Sequence, residues 1–487
     1  MTAHKRSGGG DGVIVLIYPR HSPFPHSVST PLSIFYLGSF LERESFRVEY
    51  FDERIHSPKV LKELLEGDVL LSGISSMTSY QITRGLAISS CINKVSPDIP
   101  IVWGGIHPSM CPEQTIESPL VHFVVCGEGE LTLLELAKTL REGTGDFGSI
   151  PGLVWKDGPK TVVNEERKFL DFNLIPSPYY GKAREMLMLY TGRKDVREPV
   201  GIQTSRGCRF RCRFCYNRFF NKKTIRLKNL DTVEQELAEV KSLGAGSILF
   251  YDDNIGYDRE RILGICDITR CLGINWSADL SLNFLDSGLI RAMEESGCSY
   301  LFFGAESPSD RVLRYINKGQ TSAQLKEGVK LMAQSSIKPM YSLMMGFPAC
   351  TEDDLRETID FASWIHETDP RAEIGLQPYT PYPGTPLYEE SLEAGFKPPK
   401  TLAGWGLMTM DYVNTPWVKD KLLLRNLFLL SFLAFRYEKF LTGSPVWCLH
   451  KLALFRWNRK LFRFCFERIA YDIYKWFYRL LYKISGL

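Results

Sequence analysis

The sequence predicts an α/β protein in which two parallel-sheet modules precede a helical end. Two series of short apolar, strand-like runs alternate with helical segments, and after Lys400 this alternation gives way to long helical runs rich in aromatic residues. Strands that alternate with helices are typical of mostly parallel sheets. We therefore predict a doubly wound, Rossmann-like sheet over residues 1–145, a linker over 146–197, a partial (β/α)6 barrel of the TIM type over 198–400, and a helical C-terminal region over 401–487.

Length and composition favour a globular protein of two or three domains. The 487 residues exceed the size of one ordinary core, and the contents of hydrophobic (44%) and charged (24%) residues are near globular averages. Twelve cysteines are too few for a disulfide scaffold, which favours a reducing, cytoplasmic location. The polar, glycine-rich N-terminus lacks the apolar core of a signal peptide.

The first 145 residues alternate strand-like and helical runs. Strands are predicted at 13–18, 47–52, 69–74 and 101–105, and helices at 31–41, 59–65 and 80–95. Sheets of this kind bind ligands beyond the carboxyl ends of their strands. Three loops in this half combine glycines, which let a ligand approach the backbone, with polar side chains. Their candidate binding residues are Ser75, Ser76, Thr78, Gly104, Gly105, Gly127 and Glu128.

Turn residues dominate the linker, and six strand-and-helix units follow it. The strands are predicted at 201–204, 247–251, 274–278, 300–304, 340–345 and 373–377, and the helices at 232–243, 259–272, 285–296, 321–335 and 352–367. In such barrels the functional side chains stand at the carboxyl ends of the strands. The candidates there are Asp252, Asp253, Asp279, Glu306 and Ser307.

These candidates differ in how well a purely structural role explains them. An Asp-Asp turn is a common helix cap, so the structural and functional roles of Asp252 and Asp253 both stay open. Glu306 follows an aromatic strand and is harder to explain as solvated surface. A carboxylate at that place can bind ribose hydroxyls or an ammonium group.

Three cysteines lie close together at the start of the predicted barrel. Cys208, Cys212 and Cys215 are separated by four and three residues. Thiolates are soft ligands that suit iron and sulfide, and three of them can hold three corners of a cubane cluster while one iron stays open. A closed zinc site needs a fourth ligand, and a thioredoxin-type pair leaves Cys208 unexplained. We interpret the loop as a cluster site, with zinc and structural thiols as the alternatives.

The run from Cys208 to Cys215 resembles the C-x-x-x-C-x-aromatic-C signature of the radical S-adenosylmethionine (SAM) superfamily, with Phe214 in the aromatic position. The resemblance implies a [4Fe-4S] cluster, SAM on its open iron, and reductive cleavage of SAM to a 5′-deoxyadenosyl radical. It also implies an electron donor such as flavodoxin or ferredoxin. The segments 250–254, 304–307, 317–319, 346–348 and 383–386 look like the cobalamin-dependent subgroup. The cofactor contacts carried over from it are Phe214, Asp252, Asp253, Glu306 and Ser307.

The N-terminal half resembles the cobalamin-binding domain found ahead of many radical SAM barrels. A proline-led helix at Pro31 and the loops 104–108 and 127–130 carry this resemblance. It implies cobalamin as a third cofactor, held by the loop residues named above. The D-x-H-x-x-G motif of an axial histidine is absent, so cobalamin is expected to bind without a histidine below cobalt. His56 and His107 are expected to be a surface and a loop residue, and loss of cobalamin with retention of the fold is the alternative.

The C-terminal region is basic and aromatic. Residues 419–487 contain 14 Lys or Arg against 4 Asp or Glu, in a chain whose net charge is +3. Helices are predicted at 422–440 and 452–481, and the second has a polar stripe made of Arg468, Asp472, Lys475, Arg479 and Lys483. Such a helix can lie peripherally on the inner face of a membrane, or it can pack on the barrel. No apolar run is long enough for a transmembrane span, and the bulky aliphatic residues argue against nucleic acid as a partner.

The resemblance implies an enzyme that uses the cluster, SAM and cobalamin to methylate an unactivated carbon of a hydrophobic small molecule, a metabolite or a lipid. Two alternatives stay open. One is radical cyclisation or rearrangement without methyl transfer, as in the bacteriochlorophyll cyclase-like branch. The other is a cobalamin-binding protein without turnover.

Overall fold

The computed structural model describes residues 12–22, 30–191, 199–409, 412–436, 445–463 and 466–473. The glycine-rich N-terminus and the tail residues Cys465, Lys475, Arg479 and Lys483 lie outside this part of the chain. The described residues form two compact units. The N-terminal unit comprises described residues within Met1–Glu198 and Pro399–Thr409, and the barrel unit comprises those within Pro199–Pro398 and Met410–Trp476.

A seven-stranded sheet forms the centre of the N-terminal unit, in the order β2-β1-β3-β4-β5-β6-β7. The first five strands of this order are parallel, and the last two add antiparallel. The strands are β1 Val13–Tyr18, β2 Val48–Asp52, β3 Val69–Ser75, β4 Ile101–Gly104, β5 Phe123–Val125, β6 Leu153–Asp157 and β7 Lys160–Val163. The helices are α1 Leu32–Arg43, α2 Pro58–Leu65, α3 Tyr80–Val95, α4 Ile106–Met110, α5 Pro112–Glu117, α6 Glu130–Glu142 and α7 Tyr180–Thr191, with 3-10 turns at Phe147–Ser149 and Phe172–Leu174.

Continuous apolar runs form the central strands because both faces of a doubly wound sheet are covered. Ile14, Val15 and Ile17 of β1 are fully buried, and α1 approaches the sheet closely. A Cβ on Gly38 of α1 would lie 1.8 Å from the hydroxyl of Tyr50 on β2, so only glycine fits there. The predicted Rossmann-like sheet is confirmed.

Two stretches outside residues 1–145 also belong to this unit. The hairpin of β6 and β7 extends the sheet within the segment predicted as a linker, 146–197. The second stretch contains α16 Leu402–Trp405, whose Trp405 is buried and donates from its indole nitrogen to Gln114 at 2.6 Å. The chain therefore returns to the first sheet after the barrel.

Six parallel strands form the barrel unit in the order β15-β14-β13-β12-β11-β8, which follows the chain. The strands are β8 Val200–Ile202, β11 Ser247–Phe250, β12 Asn275–Leu280, β13 Cys298–Glu306, β14 Lys338–Met345 and β15 Glu373–Pro378, and a separate antiparallel pair consists of β9 Ser205–Arg206 and β10 Arg226–Leu227. The helices are α8 Asn217–Phe220, α9 Leu230–Ser242, α10 Arg259–Leu272, α11 Ser287–Glu295, α12 Asp310–Tyr315, α13 Ser322–Ala333, α14 Glu352–Thr368 and α15 Pro386–Glu393, with a 3-10 turn at Leu282–Phe284. The predicted partial (β/α)6 barrel is confirmed.

Local signals in the sequence explain where several barrel helices begin. Asp258 and Asp286 accept hydrogen bonds from the first turns of α10 and α11. Thr321 and Thr351 open α13 and α14, each within a reciprocal capping box. Along β12 and β13 buried residues alternate with partly accessible ones, so one face of the sheet is covered by helices and the other stays accessible.

The described tail consists of α17 Lys421–Phe435, α18 Pro445–Asn458 and a helical stretch at 466–473. The backbone N–H of Leu376 on β15 donates to Ser431 of α17 at 3.0 Å, so α17 packs on the barrel sheet. The single helix predicted over 452–481 is wrong, because α18 ends at Asn458 and Lys460 adopts a left-handed φ of +53°. Asn426 of α17 donates to the carbonyl of Phe462 at 2.8 Å and holds the non-helical connection. Among the described helices, none is both long and apolar enough to cross a membrane.

A buried ion pair beside the two-stranded sheet gives a test of the barrel fold. Lys228 donates to Glu236 of α9 at 2.5 Å, and the side chains are 1% and 2% exposed. Lys228→Met leaves a buried carboxylate without its cation, and we expect a loss of about 3 kcal/mol in the free energy of unfolding, measured by urea denaturation. Lys228→Met combined with Glu236→Leu should recover most of this loss. Arg356→Met, which breaks an exposed pair with Asp353, should cost less than about 0.5 kcal/mol. Equal losses for Lys228→Met and Arg356→Met would contradict this account.

Candidate functional site

Cys208, Cys212 and Cys215 lie on the loop between β9 and α8, and all three are free thiols. Burial raises the pKa of Cys212 to about 11 and that of Cys215 to about 12. The neighbouring cysteines raise the pKa of both thiols further, so the three sulfur atoms lie within electrostatic reach of one another. Thiols in such a place become ligands only when a cation or a metal favours the thiolate.

Asp253 fastens the cysteine loop on both sides of the three thiols. Its carboxylate accepts from the backbone N–H of Gly207 at 3.2 Å and from the hydroxyl of Tyr216 at 3.2 Å. Gly207 has a φ of +98°, and a Cβ there would lie 2.1 Å from the carbonyl oxygen of Thr224. Glycine is therefore required where the loop begins.

Asp252 holds the chain just before that loop. The buried carboxylate accepts from the backbone N–H of Thr204 at 2.7 Å, from its hydroxyl at 2.6 Å and from the hydroxyl of Ser205 at 2.5 Å. Burial raises the pKa of Asp252, and these donors act against that rise. The contacts of Asp252 in this structure are thus with the chain itself.

A second set of contacts joins the middle of the cysteine loop to the turn after α12. The backbone N–H of Arg213 donates to the carbonyl of Ile316 at 2.9 Å, and the side-chain amide of Asn317 donates to the carbonyl of Arg211 at 3.0 Å. Asn317 and Gly319 both have left-handed φ angles, so the turn is tight. These contacts bring Lys318 to the cysteines.

Lys318 is the cation beside the three thiols. Its ammonium donates to Glu306 at 2.8 Å. Burial lowers the pKa of Lys318, but Glu306, Cys212 and Cys215 raise it and together prevail. Lys318 also lowers the pKa of Cys208 and Cys212 against the effect of burial. A positive charge at this place favours an anionic ligand set.

The backbone around Glu306 is unusual for a non-glycine residue. Its φ is +62°, and the pairing of β13 with β14 shifts register between Gly304 and Glu306. A Cβ on Gly304 would lie 2.5 Å from the carboxylate of Glu306 and 2.8 Å from the ammonium of Lys318. The irregular strand end thus aims the carboxylate at Lys318, and strain of this kind is concentrated at functional sites.

The remaining barrel candidates occupy different surroundings. Ser307 is buried beside Glu306, and its hydroxyl accepts from the backbone N–H of Ser309 at 3.2 Å. Phe214 packs on Phe347 with ring centroids 5.9 Å apart, within an apolar cluster that fixes the loop. Asp279 lies on the accessible face of β12.

The donor set at the cysteine loop fits an iron–sulfur cluster. Three soft ligands come from one loop, and Lys318 supplies the positive charge that an anionic cluster favours. Over the described ranges, no three His, Cys, Asp or Glu side chains converge tightly enough to hold a single metal ion.

The N-terminal candidates meet at one edge of the first sheet. The backbone N–H of Ser76 donates to the carbonyl of Gly104 at 2.9 Å, and a Cβ on Gly105 would lie 2.7 Å from the carbonyl oxygen of Ser76. Ser75 donates from its hydroxyl to Ser33 of α1 at 3.1 Å. The loops after β3 and β4 are therefore locked together.

Ser109 joins the third loop to the other two. Its hydroxyl donates to the carbonyl of Gly105 at 2.7 Å and accepts from the backbone N–H of Gly127 at 2.9 Å. Gly127 has a φ of +73°, and a Cβ there would meet no atom within 4 Å. The next residue, Glu128, is half-buried. All seven candidates of this unit thus belong to one connected group of loops.

His107 was expected to be a loop residue, but it lies in α4 and is fully buried. Its Nδ1 lies 3.0 Å from the hydroxyl of Thr78, its ring contacts Trp405 at a centroid distance of 5.5 Å, and burial lowers its pKa to about 4. The Nε2 atom is buried and has no hydrogen-bond partner among the described residues. A neutral imidazole with an unused polar atom, joined to the loop that holds Ser76 and Thr78, fits the edge of a large polar cofactor such as cobalamin. His56 instead accepts from the backbone N–H of Asp52 at 3.0 Å.

Two residues of these sites escaped the sequence analysis. Lys318 lies within a segment that resembles the family, 317–319, but a lone lysine in a turn carries no signal until its partners are known. Trp405 lies in the region predicted as C-terminal helix and packs on His107, which no spacing rule indicates.

The chain is similar to two domain families and to several known proteins. Residues 202–362 match the radical SAM superfamily, and residues 25–137 match the B12 binding domain. An uncharacterized methyltransferase of Pyrococcus horikoshii is 31% identical over 393 residues, which are 78% of this chain and 83% of that protein. An anaerobic magnesium-protoporphyrin IX monomethyl ester cyclase of Rubrivivax gelatinosus is 25% identical over 387 residues, which are 74% of this chain and 66% of that protein.

A solved structure has a similar fold. It is the radical SAM methyltransferase TsrM from Kitasatospora setae with tryptophan and a SAM analogue bound, and it is 18% identical with a TM-score of 0.68. The alignment covers 79% of this chain and 76% of that one. From the two domain matches and the Pyrococcus relative, the chain belongs to the radical SAM superfamily, in the group whose members carry a B12-binding domain ahead of the radical SAM domain.

Proposed function

We propose that this chain methylates an unactivated carbon of a hydrophobic metabolite or lipid with a [4Fe-4S] cluster, SAM and cobalamin. The observation that carries the proposal is the cysteine loop, where three free thiols on one anchored loop lie beside the cation of Lys318. Membership of the family implies SAM and the cluster for this loop and cobalamin for the N-terminal sheet.

The cofactors supply the radical and the methyl group, and the protein supplies position and charge. Cys208, Cys212 and Cys215 are the cluster ligands of the proposal. Glu306 and Ser307 are at the strand end beside them, where SAM needs a partner for its ammonium and ribose groups. Asp252 and Asp253 act as positioning residues, because their hydrogen bonds hold the loop on which the thiols stand.

In the proposal cobalamin binds at the connected loops of the N-terminal sheet. Gly127 leaves the backbone open to a large ligand, Gly104 and Gly105 pack against neighbouring backbone, and Ser75, Ser76 and Thr78 offer hydroxyls. His107 offers its Nε2 as a hydrogen-bonding group rather than as a cobalt ligand, which agrees with the missing axial motif.

The accessible face of the barrel sheet supports a hydrophobic substrate. Leu249, Phe302 and Met344 are partly accessible there, together with Asp279 and Gln377. Asp279 and Phe302 are directly paired across β12 and β13. A largely apolar molecule that carries one hydrogen-bond donor fits such a face.

The radical step also needs an electron from outside the chain. A separate donor such as flavodoxin or ferredoxin is part of the proposal, because the resemblance to the radical SAM superfamily implies one.

Anaerobic reconstitution tests the reaction. With iron, sulfide, cobalamin, dithionite and SAM, the protein should form 5′-deoxyadenosine, and the substrate should gain the mass of one methyl group. Cys208→Ala, Cys212→Ala and Cys215→Ala should each abolish cluster absorption and 5′-deoxyadenosine, while Cys271→Ala, at an exposed cysteine of α10, should retain both. A new ring without a methyl gain would favour the cyclase alternative. A loaded cluster without 5′-deoxyadenosine would favour a protein without turnover.

Lys318 should raise the reduction potential of the cluster. Removing one positive charge beside the cluster should lower the midpoint potential by on the order of 50 mV, which corresponds to a Coulomb energy of about 1 kcal/mol for one electron. An EPR-monitored redox titration of Lys318→Met measures the shift, and Lys318→Arg should restore most of it. Lys330→Met, at an exposed lysine of α13, should leave the potential unchanged. If Lys318→Met leaves the midpoint potential of the cluster unchanged, Lys318 does not tune that potential.

Asp279 should make the barrel less stable as pH rises. Desolvation by the surrounding protein, Asp253 and Asp252 raise the pKa of Asp279 to about 7, although solvent reaches its side chain on the accessible face of β12 and weakens the effect on stability. The folded state therefore binds this proton more tightly than the unfolded state, and stability falls between the usual aspartate pKa and about pH 7. Asp279→Asn should raise the melting temperature more at pH 8 than at pH 5. Glu327→Gln, at an exposed glutamate of α13, should show no such difference, and an equal effect of Asp279→Asn at both pH values would contradict the assignment.

A further inference from the structure

The tail helices after α17 turn apolar side chains outward. On α18 the buried face consists of His450, Ala453, Arg456 and Trp457. Two contacts hold that face, since His450 Nδ1 lies 3.0 Å from the carbonyl oxygen of Leu433 and the Trp457 indole donates to Ser363 at 3.0 Å. The opposite face exposes Trp447, Leu452 and Phe455 by 43%, 40% and 49%. Helix α18 is therefore oriented by its contacts, and its outer face remains apolar.

In the helical stretch at 466–473, charged side chains again face inward and apolar side chains face outward, and the pattern is clearer than in α18. Glu467 faces inward and is 2% exposed, with its carboxylate 3.2 Å from Arg456. Asp472 lies 3.9 Å from Arg425 of α17. Ile469 and Ile473 are 54% and 60% exposed. A helix that only covers a core would place its isoleucines inward and its carboxylates in water.

Basic side chains are interleaved with the exposed apolar ones. Trp447, Lys451, Phe455 and Arg459 recur every four residues and share one side of the helix axis. The ammonium of Lys451 is 5.8 Å from the Trp447 ring, and the guanidinium of Arg459 is 4.7 Å from the Phe455 ring. Residues 445–473 contain six Lys or Arg against two Asp or Glu.

The cations of this face are available to a ligand. Lys451, Arg459 and Arg463 are exposed and form no ion pair with any described residue. The acidic members of the segment, Glu467 and Asp472, point instead towards Arg456 and Arg425. The outer face is therefore apolar and positively charged at the same time.

We propose that α18 and residues 466–473 form a docking surface for an anionic phospholipid bilayer. We call it the tail surface, and its members are Trp447, Lys451, Leu452, Phe455, Arg459, Leu461, Arg463, Ile469 and Ile473. Aliphatic and aromatic side chains enter the acyl boundary, while lysine and arginine keep their charged ends at the headgroups. Charge complementarity selects this occupant, since three cations that form no ion pair within the described part of the chain alternate with the apolar side chains. The surface shares no residue with the cluster site or the cobalamin loops.

Vesicle sedimentation of the full-length, cofactor-loaded protein tests the proposal. We expect sedimentation with vesicles of equal parts phosphatidylglycerol and phosphatidylcholine, and at least about tenfold weaker association with pure phosphatidylcholine. Phe455→Glu combined with Ile469→Glu should weaken binding to the anionic vesicles about tenfold or more. Lys451→Gln combined with Arg459→Gln should remove most of the preference for anionic lipid. Formation of 5′-deoxyadenosine in solution should not change in any of these variants.

The matched control is Val163→Glu combined with Leu174→Glu, which adds two carboxylates at exposed apolar positions outside the tail, 52% and 59% accessible. It should bind vesicles as the wild type does. An equal loss of vesicle binding in the control and in the tail variant would overturn the proposal. A wild-type protein that does not bind anionic vesicles would overturn it as well. A change of oligomeric state in Phe455→Glu with Ile469→Glu, measured by analytical ultracentrifugation, with unchanged vesicle binding would assign the surface to a second copy of the chain instead. If circular dichroism shows that the tail variant is unfolded, the wild-type preference for anionic lipid and its loss in Lys451→Gln with Arg459→Gln still decide the matter.

Discussion

The barrel site depends on two consecutive aspartates that fix an irregular loop to the end of a strand. A loop that carries three thiols in eight positions has little backbone pairing of its own, so its geometry must come from side-chain hydrogen bonds. Asp252 accepts from the chain before the loop, and Asp253 accepts from Gly207 and Tyr216 on either side of the thiols. The two carboxylates thereby replace a hydrogen-bonded ladder. Desolvation raises the pKa of Asp279, and the negative charge of the two aspartates raises it further.

That negative charge gives Lys318 its importance. A cluster held by three thiolates adds further anionic charge next to Asp253 and Glu306, and the cation that lowers the pKa of Cys208 and Cys212 is the ammonium of Lys318, which donates to Glu306. The left-handed turn at Asn317 and Gly319 and the irregular end of β13 both serve to bring these two side chains together. Backbone strain, glycine and charge are thus combined at one place. In the N-terminal unit, glycines and hydroxyl groups join the loops after β3, β4 and β5 instead.

The sequence predicted the framework well because burial dictates it locally. The apolar runs 13–18 and 340–345 contain strands, and the helix predicted over 259–272 is α10, which Asp258 caps. The cysteine spacing predicts the ligand set, and the spacing of Asp252 and Asp253 does not show that they hold the cysteine loop, because their partners lie about 45 residues earlier in the chain. The pairing of Lys318 with Cys212 could not be predicted, since about 100 residues separate them and only the bulge in β13 and the turn at 316–319 bring them together. Trp405 was missed for the same reason, because its partner His107 lies in another part of the chain.

In the tail, amino-acid composition does not predict which apolar side chains are buried and which are exposed. Segments that are both rich in aromatic and aliphatic residues behave differently, since α17 buries Leu427 and Leu430 on the barrel whereas 466–473 exposes Ile469 and Ile473. The difference lies in the inward pair of Arg456 and Glu467, whose burial is close to neutral for stability and leaves the isoleucines facing outward. A helix whose only role was to cover the barrel would gain more from burying those isoleucines, at about 1.5–3 kcal/mol for each fully buried side chain. The choice of an ion pair for the inner face therefore points to a role for the apolar outer face.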